Sequence, residues 1–158
     1  MTDPVPVSSP VIPSIRRANR VLCCLIAILS VAGIAVSAVS LQRHYAKSAT
    51  AYCDLSQKFS CDIVNRSEYS TLLGIPVAGI GVVGYAMLLW LSTFKKSQPD
   101  TPNLLLGAAI GGLLFALYLT YIEAYVLTTW CIMCLASLVL IFLISLLAVV
   151  MRLRAARV

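Results

Sequence analysis

The sequence predicts an all-α integral membrane protein, a bundle of four transmembrane helices with both termini cytoplasmic. Three observations carry this. Hydrophobic residues make up 60% of the 158-residue chain and charged residues only 11%, too little charge to cover a soluble surface of this size. Four apolar stretches stand out, at about 21–41, 75–94, 104–126 and 131–150. Each has about twenty residues, near the length that crosses roughly 30 Å of hydrocarbon at about 1.5 Å per residue. Finally, eight of the twelve Lys and Arg residues cluster at three places: Arg16, Arg17 and Arg20 before the first stretch, Lys95 and Lys96 after the second, and Arg152, Arg154 and Arg157 after the fourth. The positive-inside rule then puts both termini and the 95–103 connection in the cytoplasm, and alternation puts a long loop, 42–74, and a short turn, 127–130, outside. The net charge of +6 is thereby read as topology rather than as a nucleic-acid footprint.

Taken in order, residues 1–18 are expected to form a disordered cytoplasmic tail, with four prolines among the first thirteen positions. Basic residues, an apolar run and the small-residue stretch Ala35-Val36-Ser37-Ala38 imitate a secretory signal. An apolar run near twenty residues, however, exceeds the roughly 7–15 of a signal core, so the segment is expected to stay as a membrane helix. The 42–74 loop mixes Arg43, Lys47, Lys58 and Arg66 with Asp54, Asp62 and Glu68, as a solvated segment would. Between the second and third stretches, Ser97 to Asn103 reads as a turn, with Thr101 placed to cap the third helix and Pro102 at its first position, where a missing N–H costs nothing. Small residues recur at Ala78, Gly81 and Gly84 and again at Gly107, Ala108, Gly111, Gly112 and Ala116, a pattern that lets helix backbones approach closely in lipid. Four spans leave no room for a soluble domain, so residues 1–158 are one membrane domain.

The chemistry lies in the cysteines, which form three pairs: Cys23/Cys24, Cys53/Cys61 and Cys131/Cys134. The first lies near the cytoplasmic end of the first helix and reads as small buried apolar residues. The other two pairs fall on the same, outer face, where disulfides persist. Cys131-Ile-Met-Cys134 opens the fourth helix, whose positive end favours a thiolate in its first turn. Trp130 suits the interfacial aromatic belt and sets the depth of the pair. Three uses are open to these residues: an electron relay, static disulfides, or a metal site, with Met133 making Cu(I) conceivable. Both pairs on one side of a four-span bundle favour the relay, with no metal expected.

Tyr52-Cys53-Asp54-Leu55, Cys61 eight residues on and Ser67 shortly before Tyr69 resemble the loop signature of the vitamin K epoxide reductase (VKOR) family. Leu73-Gly74-Ile75-Pro76 with Gly81 and Tyr85 is similar to that family's lead into its second helix, and Tyr118, Glu123, Leu127, Cys131 and Cys134 resemble its approach to the catalytic Cys-x-x-Cys, particularly in bacterial members without a fused thioredoxin-like domain. The resemblance covers roughly 21–150. It implies a thiol:quinone oxidoreductase that generates disulfides. A separate thioredoxin-like (DsbA-like) extracytoplasmic protein would reduce Cys53–Cys61, most simply at Cys53. Cys61 would attack Cys131, and Cys134 would reduce a membrane quinone, ubiquinone or menaquinone. A bacterial inner membrane, with the cysteines on its periplasmic side, is the expected setting.

The resemblance also implies lesser roles. Ser67 matches a loop serine on the redox face, or else caps a short helix. Glu123, ionisable within an apolar span, is a functional candidate by default, or is solvated at the outer interface. Tyr85 and Tyr121 are candidates to line a quinone pocket, or are packing and interfacial aromatics; His44 is assigned nothing. Members that reduce vitamin K epoxide carry an Asn and a Tyr where Val77 and Leu138 stand here. Neither replacement donates a hydrogen bond, which argues against the epoxide as substrate. The unrelated DsbB lineage of four-helix quinone-linked enzymes has its two cysteine pairs in the opposite order. A non-enzymatic scaffold or Cu(I)-binding protein with structural disulfides is the alternative from another class.

Overall fold

The computed structural model describes residues 11–45, 54–56, 59–60, 64, 70–72, 74–94 and 100–156. Cys53, Cys61 and Ser67 lie outside the described residues. Four helices dominate: α1 (Val11–Tyr45), α2 (Val77–Thr93), α3 (Thr101–Ile122) and α4 (Ile132–Ala155). Two small antiparallel hairpins occupy the long loop, β1 (Asp54–Ser56) with β2 (Phe59–Ser60), and β3 (Thr71–Leu72) with β4 (Ile75–Pro76). Gly74 turns the second hairpin at φ +80°, a conformation open to a residue without Cβ.

Three segments are long and apolar enough to cross a membrane, 19–45, 101–127 and 132–155. The expected second span is realised as the shorter α2, 17 residues long, because Ile75 and Pro76 are drawn into the hairpin instead of the helix. The first helix is longer than expected at both ends. It begins at Val11, inside the stretch expected to be disordered; Pro13 falls in the first turn, where no intrahelical N–H is required. It also runs on to Tyr45, taking the first residues of the expected loop. Helix α3 starts at Thr101 with Asp100 at the cap, one residue ahead of the expected Thr101 cap, and Pro102 still sits in the first turn.

Helix α1 packs chiefly on α2 and α4, and α4 on α3, whereas α2 and α3 touch less and α1 and α3 least. The bundle is apolar outside, with Val21, Ile28, Val83, Leu114 and Val139 exposed, and its core of residues such as Ile26, Leu88, Leu105 and Ile144 also holds Ser30, Ser37, Ser40, Ser92 and Ser145. The hydroxyls of Ser30, Ser92 and Ser145 are satisfied on helix carbonyls, as hydrocarbon demands. Ser30 donates to Ile26 O at 2.7 Å, and Ser145 donates to Ile141 O at 2.8 Å with Ala109 O of α3 at 3.2 Å. The inward face of α1 runs through Cys23, Ile26, Ser30, Gly33, Ser37 and Ser40, alternating steps of three and four as a helix seam does. Cys24 is exposed, contrary to the expectation that both early cysteines are buried, because the inward face takes Leu22 and Cys23 and the next residue turns outward.

Gly33 sits at the tightest crossing. A Cβ there would overlap the ring of Tyr85. Tyr85 passes over it from α2 to α4, where its hydroxyl donates to Ser137 O at 2.8 Å and lies 2.9 Å from Ser137 Oγ. Three helices are thereby tied at one level. Gly33→Ala is expected to displace the ring and destabilise the bundle by about 1–3 kcal/mol, read as a lowered melting temperature in detergent; an unchanged melting temperature would contradict this packing.

Candidate active site

The C-terminal ends of α1 and α3 and the N-terminal ends of α2 and α4 gather around one cavity of about 340 Å³. Its walls are mostly apolar, with Ser37, Ser40, His44, Ser70, Tyr85, Glu123, Cys134 and Ser137 as its polar or reactive members. That volume is at the low end for a small-molecule pocket. The small residues anticipated as close-packing faces divide between two uses. Ala78, Gly81, Gly84, Ala108, Gly111 and Gly112 line the cavity; a Cβ at Gly81 would come within 2.9 Å of Ser37 and one at Gly112 within 3.1 Å of Ile141, so these two allow close approach, whereas a Cβ at Gly84 or Gly111 would meet nothing within 4 Å. Gly84 and Gly111 leave space between α2 and α3.

At the C-terminal end of α3 the helix widens into a π-helical turn, Glu123–Leu127. Such turns insert an extra residue and recur at functional sites. Glu123 organises the passage from α3 into α4. Its carbonyl oxygen accepts the N–H of Thr128 and that of Thr129, the latter at 3.2 Å. Its carboxylate Oε2 accepts the N–H of Cys131 at 3.2 Å. Thr128 takes the left-handed conformation at φ +50°, unusual for a β-branched residue, and reverses the chain there. The result is a Cys-x-x-Cys opening α4 with a carboxylate against the N–H of its cap residue, Cys131, at the positive end of the helix.

Cys131, at the cap position, is 0% exposed and packs with Val64, three residues beyond Cys61 in the loop. Cys134, one turn on, is partly exposed and lines the cavity. The two are not joined by a disulfide in this structure. The two sulfurs and a carboxylate oxygen of Glu123 lie within 4.8 Å of one another. A thiol pair with a carboxylate is a donor set that a zinc-like ion accepts, so the expectation of no metal meets a trio able to hold one.

Of the candidate residues, the structure brings together Cys131, Cys134, Glu123 and Tyr85. Glu123 is 2% exposed, which rules out the solvated alternative. Tyr85 reaches the cavity, but its hydroxyl is engaged with Ser137. Tyr121 is not brought there: it points outward, 59% exposed, and stacks on Tyr125 with ring centroids 4.9 Å apart. It follows Tyr118 by one turn on the outer face of α3, while the neighbouring Ile122 and Glu123 turn inward. Val77 lines the cavity, whereas Leu138 does not.

Sequence reasoning missed His44, which is helical and lines the cavity; continuing the seam of α1 one step past Ser40 reaches it. It also missed Ser137 and Val64, for which no local signal exists.

The burial difference makes a direct prediction. In the reduced protein, a maleimide should modify Cys134 well before Cys131, as resolved by peptide mass spectrometry; equal rates would contradict the burial of Cys131.

The sequence model of the Vitamin K epoxide reductase family matches residues 24–149 of this chain.

Proposed function

The chain belongs to the vitamin K epoxide reductase family, membrane oxidoreductases, and from this premise we propose that it is a thiol–quinone oxidoreductase generating disulfides. The observation that carries the reading is the division of labour between two sulfurs. Cys131 is sealed from the cavity and packs against a loop residue, while Cys134 lines an apolar cavity. A buried disulfide sulfur reached through the loop and a partner sulfur facing a lipid-soluble acceptor are what a relay requires.

In the proposed sequence, a thiolate of a separate thioredoxin-like protein attacks the Cys53–Cys61 disulfide at Cys53, and Cys61 leaves. Cys61 then attacks Cys131 in the Cys131–Cys134 disulfide, and Cys134 is released. Each step is thiolate attack on a disulfide and needs only sulfurs that can touch. Val64 beside Cys131 supports this route, since it places the chain three residues beyond Cys61 against the sulfur to be attacked. The cavity receives the quinone ring, and the gap between α2 and α3, walled by Gly84 and Gly111, admits its isoprenoid tail. Ubiquinone and menaquinone are the candidate acceptors. Val77 on the cavity wall supplies no hydrogen bond for an epoxide oxygen, which favours quinone-linked disulfide formation.

Helix α2 serves as the fourth span. Its 17 residues extend about 26 Å, near the lower limit for crossing hydrocarbon. Arg20 at one end of α1 and Arg152 and Arg154 in the last turn of α4 lie at the end of the bundle away from the cavity. By the positive-inside rule the cysteines then face outward, the periplasm if the membrane is a bacterial inner membrane.

Three outcomes test this reading. Cys134→Ala is expected to reduce quinone reduction to background with either a reduced thioredoxin-like partner or dithiothreitol; an unchanged rate would sink the mechanism. Cys61→Ala is expected to block turnover with the protein partner yet retain turnover with dithiothreitol; equal loss with both reductants argues against the relay. Gly111→Leu is expected to fill the cavity and raise the quinone KM without altering the reduction of the cysteines, whereas an unchanged KM would place the quinone elsewhere. Purified protein that binds Cu(I) but consumes no quinone would favour the metal-binding alternative.

A further inference from the structure

The carboxylate of Glu123 presents an asymmetry that its structural role does not explain. One oxygen, Oε2, holds the N–H of Cys131. The other, Oε1, is buried with no hydrogen-bond partner among the described residues. An oxygen in this position normally forfeits a sizeable desolvation free energy, and an amide would supply the same cap with less to desolvate. The side chain also lines the cavity that Cys134 lines, and its carboxylate lies within 4.8 Å of the Cys134 sulfur.

We propose that Glu123 is a catalytic proton carrier between the Cys134 thiol and the quinone, an inference that rests on the thiol–quinone reading above. The first N–H groups of α4 support one negative charge at this point, and two anions so close in an apolar cavity repel each other strongly. Carboxylate and thiol therefore share a proton: when one is anionic, the other is neutral. In the dithiol form, the Cys134 thiol gives its proton to the Glu123 carboxylate and becomes a thiolate. The thiolate adds through its sulfur to the quinone ring, forming an S–C bond. Cys131 then attacks the Cys134 sulfur with release of its own thiol proton; the disulfide forms, the S–C bond breaks, and its electron pair stays with the ring. Two protons and two electrons leave the two thiols. One proton reaches a quinone oxygen from Glu123 and the other comes from Cys131, so that quinone becomes hydroquinone and Glu123 returns to the carboxylate.

The other titratable groups on the cavity are few. His44 faces it from α1, and Tyr85 faces it from α2 with its hydroxyl donated to Ser137. Helix α3 offers only Glu123, and α4 offers Cys134 with the sealed Cys131 beneath it. Glu123 is the one carboxyl on the cavity wall among the described residues.

Glu123→Gln separates the two roles, because the amide oxygen still accepts from the Cys131 N–H but the side chain carries no exchangeable acid. With dithiothreitol as reductant and a short-chain ubiquinone analogue as acceptor, the variant is expected to keep the wild-type melting temperature and KM. Its kcat should fall about 100-fold or more, the usual worth of a positioned acid–base group, and one titration should vanish from its pH profile. Glu123→Asp should keep that titration. A Gln variant with wild-type kcat and pH profile overturns the proposal.

Should the Gln variant fail to fold, infrared difference spectra of the wild type, dithiol against diamide-oxidised, decide the matter. A protonated-carboxyl band that shifts on carbon-13 glutamate labelling and survives Glu68→Gln, the chain's other glutamate, is expected. The absence of any glutamate-sensitive band overturns the proposal. A wild type that reduces no quinone would instead refute the thiol–quinone reading, while the same spectra still judge proton exchange between Glu123 and Cys134.

Discussion

The contact on which the active end of this molecule depends is a single buried carboxylate at the join of two helices. Glu123 holds the turn between α3 and α4 with its carbonyl and the first residue of the Cys-x-x-Cys with its side chain. The π-helical widening brings it there. A regular α-helix carried through the same residues would rotate Glu123 differently against the turn beyond it, and the left-handed Thr128 would lose the carbonyl that receives two successive N–H groups. Depth, orientation and electrostatic surroundings of both cysteines are consequences of that turn. In hydrocarbon such a carboxylate is expensive.

A second constraint sets the inner shape. Tyr85 ties α2 to α4 across Gly33 of α1, and both Tyr85 and Ser137 stand on the cavity wall. Beside them, Gly84 and Gly111 leave space between α2 and α3. Brace and open flank belong together: the brace keeps three helices in register while the flank stays unfilled. Without Gly33 the ring of Tyr85 could not lie where it does, and the wall it forms would be lost.

Much of this is legible in the sequence. Apolar stretches of membrane-spanning length, the Cys-x-x-Cys at a helix start and an ionisable residue inside a span are one-dimensional patterns with direct physical meaning. The less legible parts depend on which face a residue presents. Tyr121 and Glu123 are two positions apart and look equally eligible, yet one faces outward and the other inward, because helical phase is hard to fix where every face is apolar. The small residues of α2 and α3 all read as contact surfaces, which Gly81 and Gly112 are and Gly84 and Gly111 are not, since composition does not distinguish a face that touches from a face that leaves room. Ile75 and Pro76 belong to the second span by apolar character alone, whereas backbone pairing in a hairpin claims them.

The shortness of α2 has a consequence for the lipid around the protein. If α2 crosses the membrane as proposed above, its length of about 26 Å falls a few ångströms below the hydrocarbon thickness of an average bilayer, while its neighbours on either side meet or exceed it. Such a mismatch is relieved by local thinning of the bilayer, at a fraction of a kcal/mol per Å. The thinned annulus then lies along α2, beside the flank where the glycine-walled cavity opens. Acyl chains there are shorter in projection and less ordered, so a long hydrophobic molecule diffusing in the midplane meets its weakest lateral packing at the mouth of the site. The membrane becomes a guide toward the cavity, and thicker, sterol-like bilayers would be poorer hosts for this fold than thin ones.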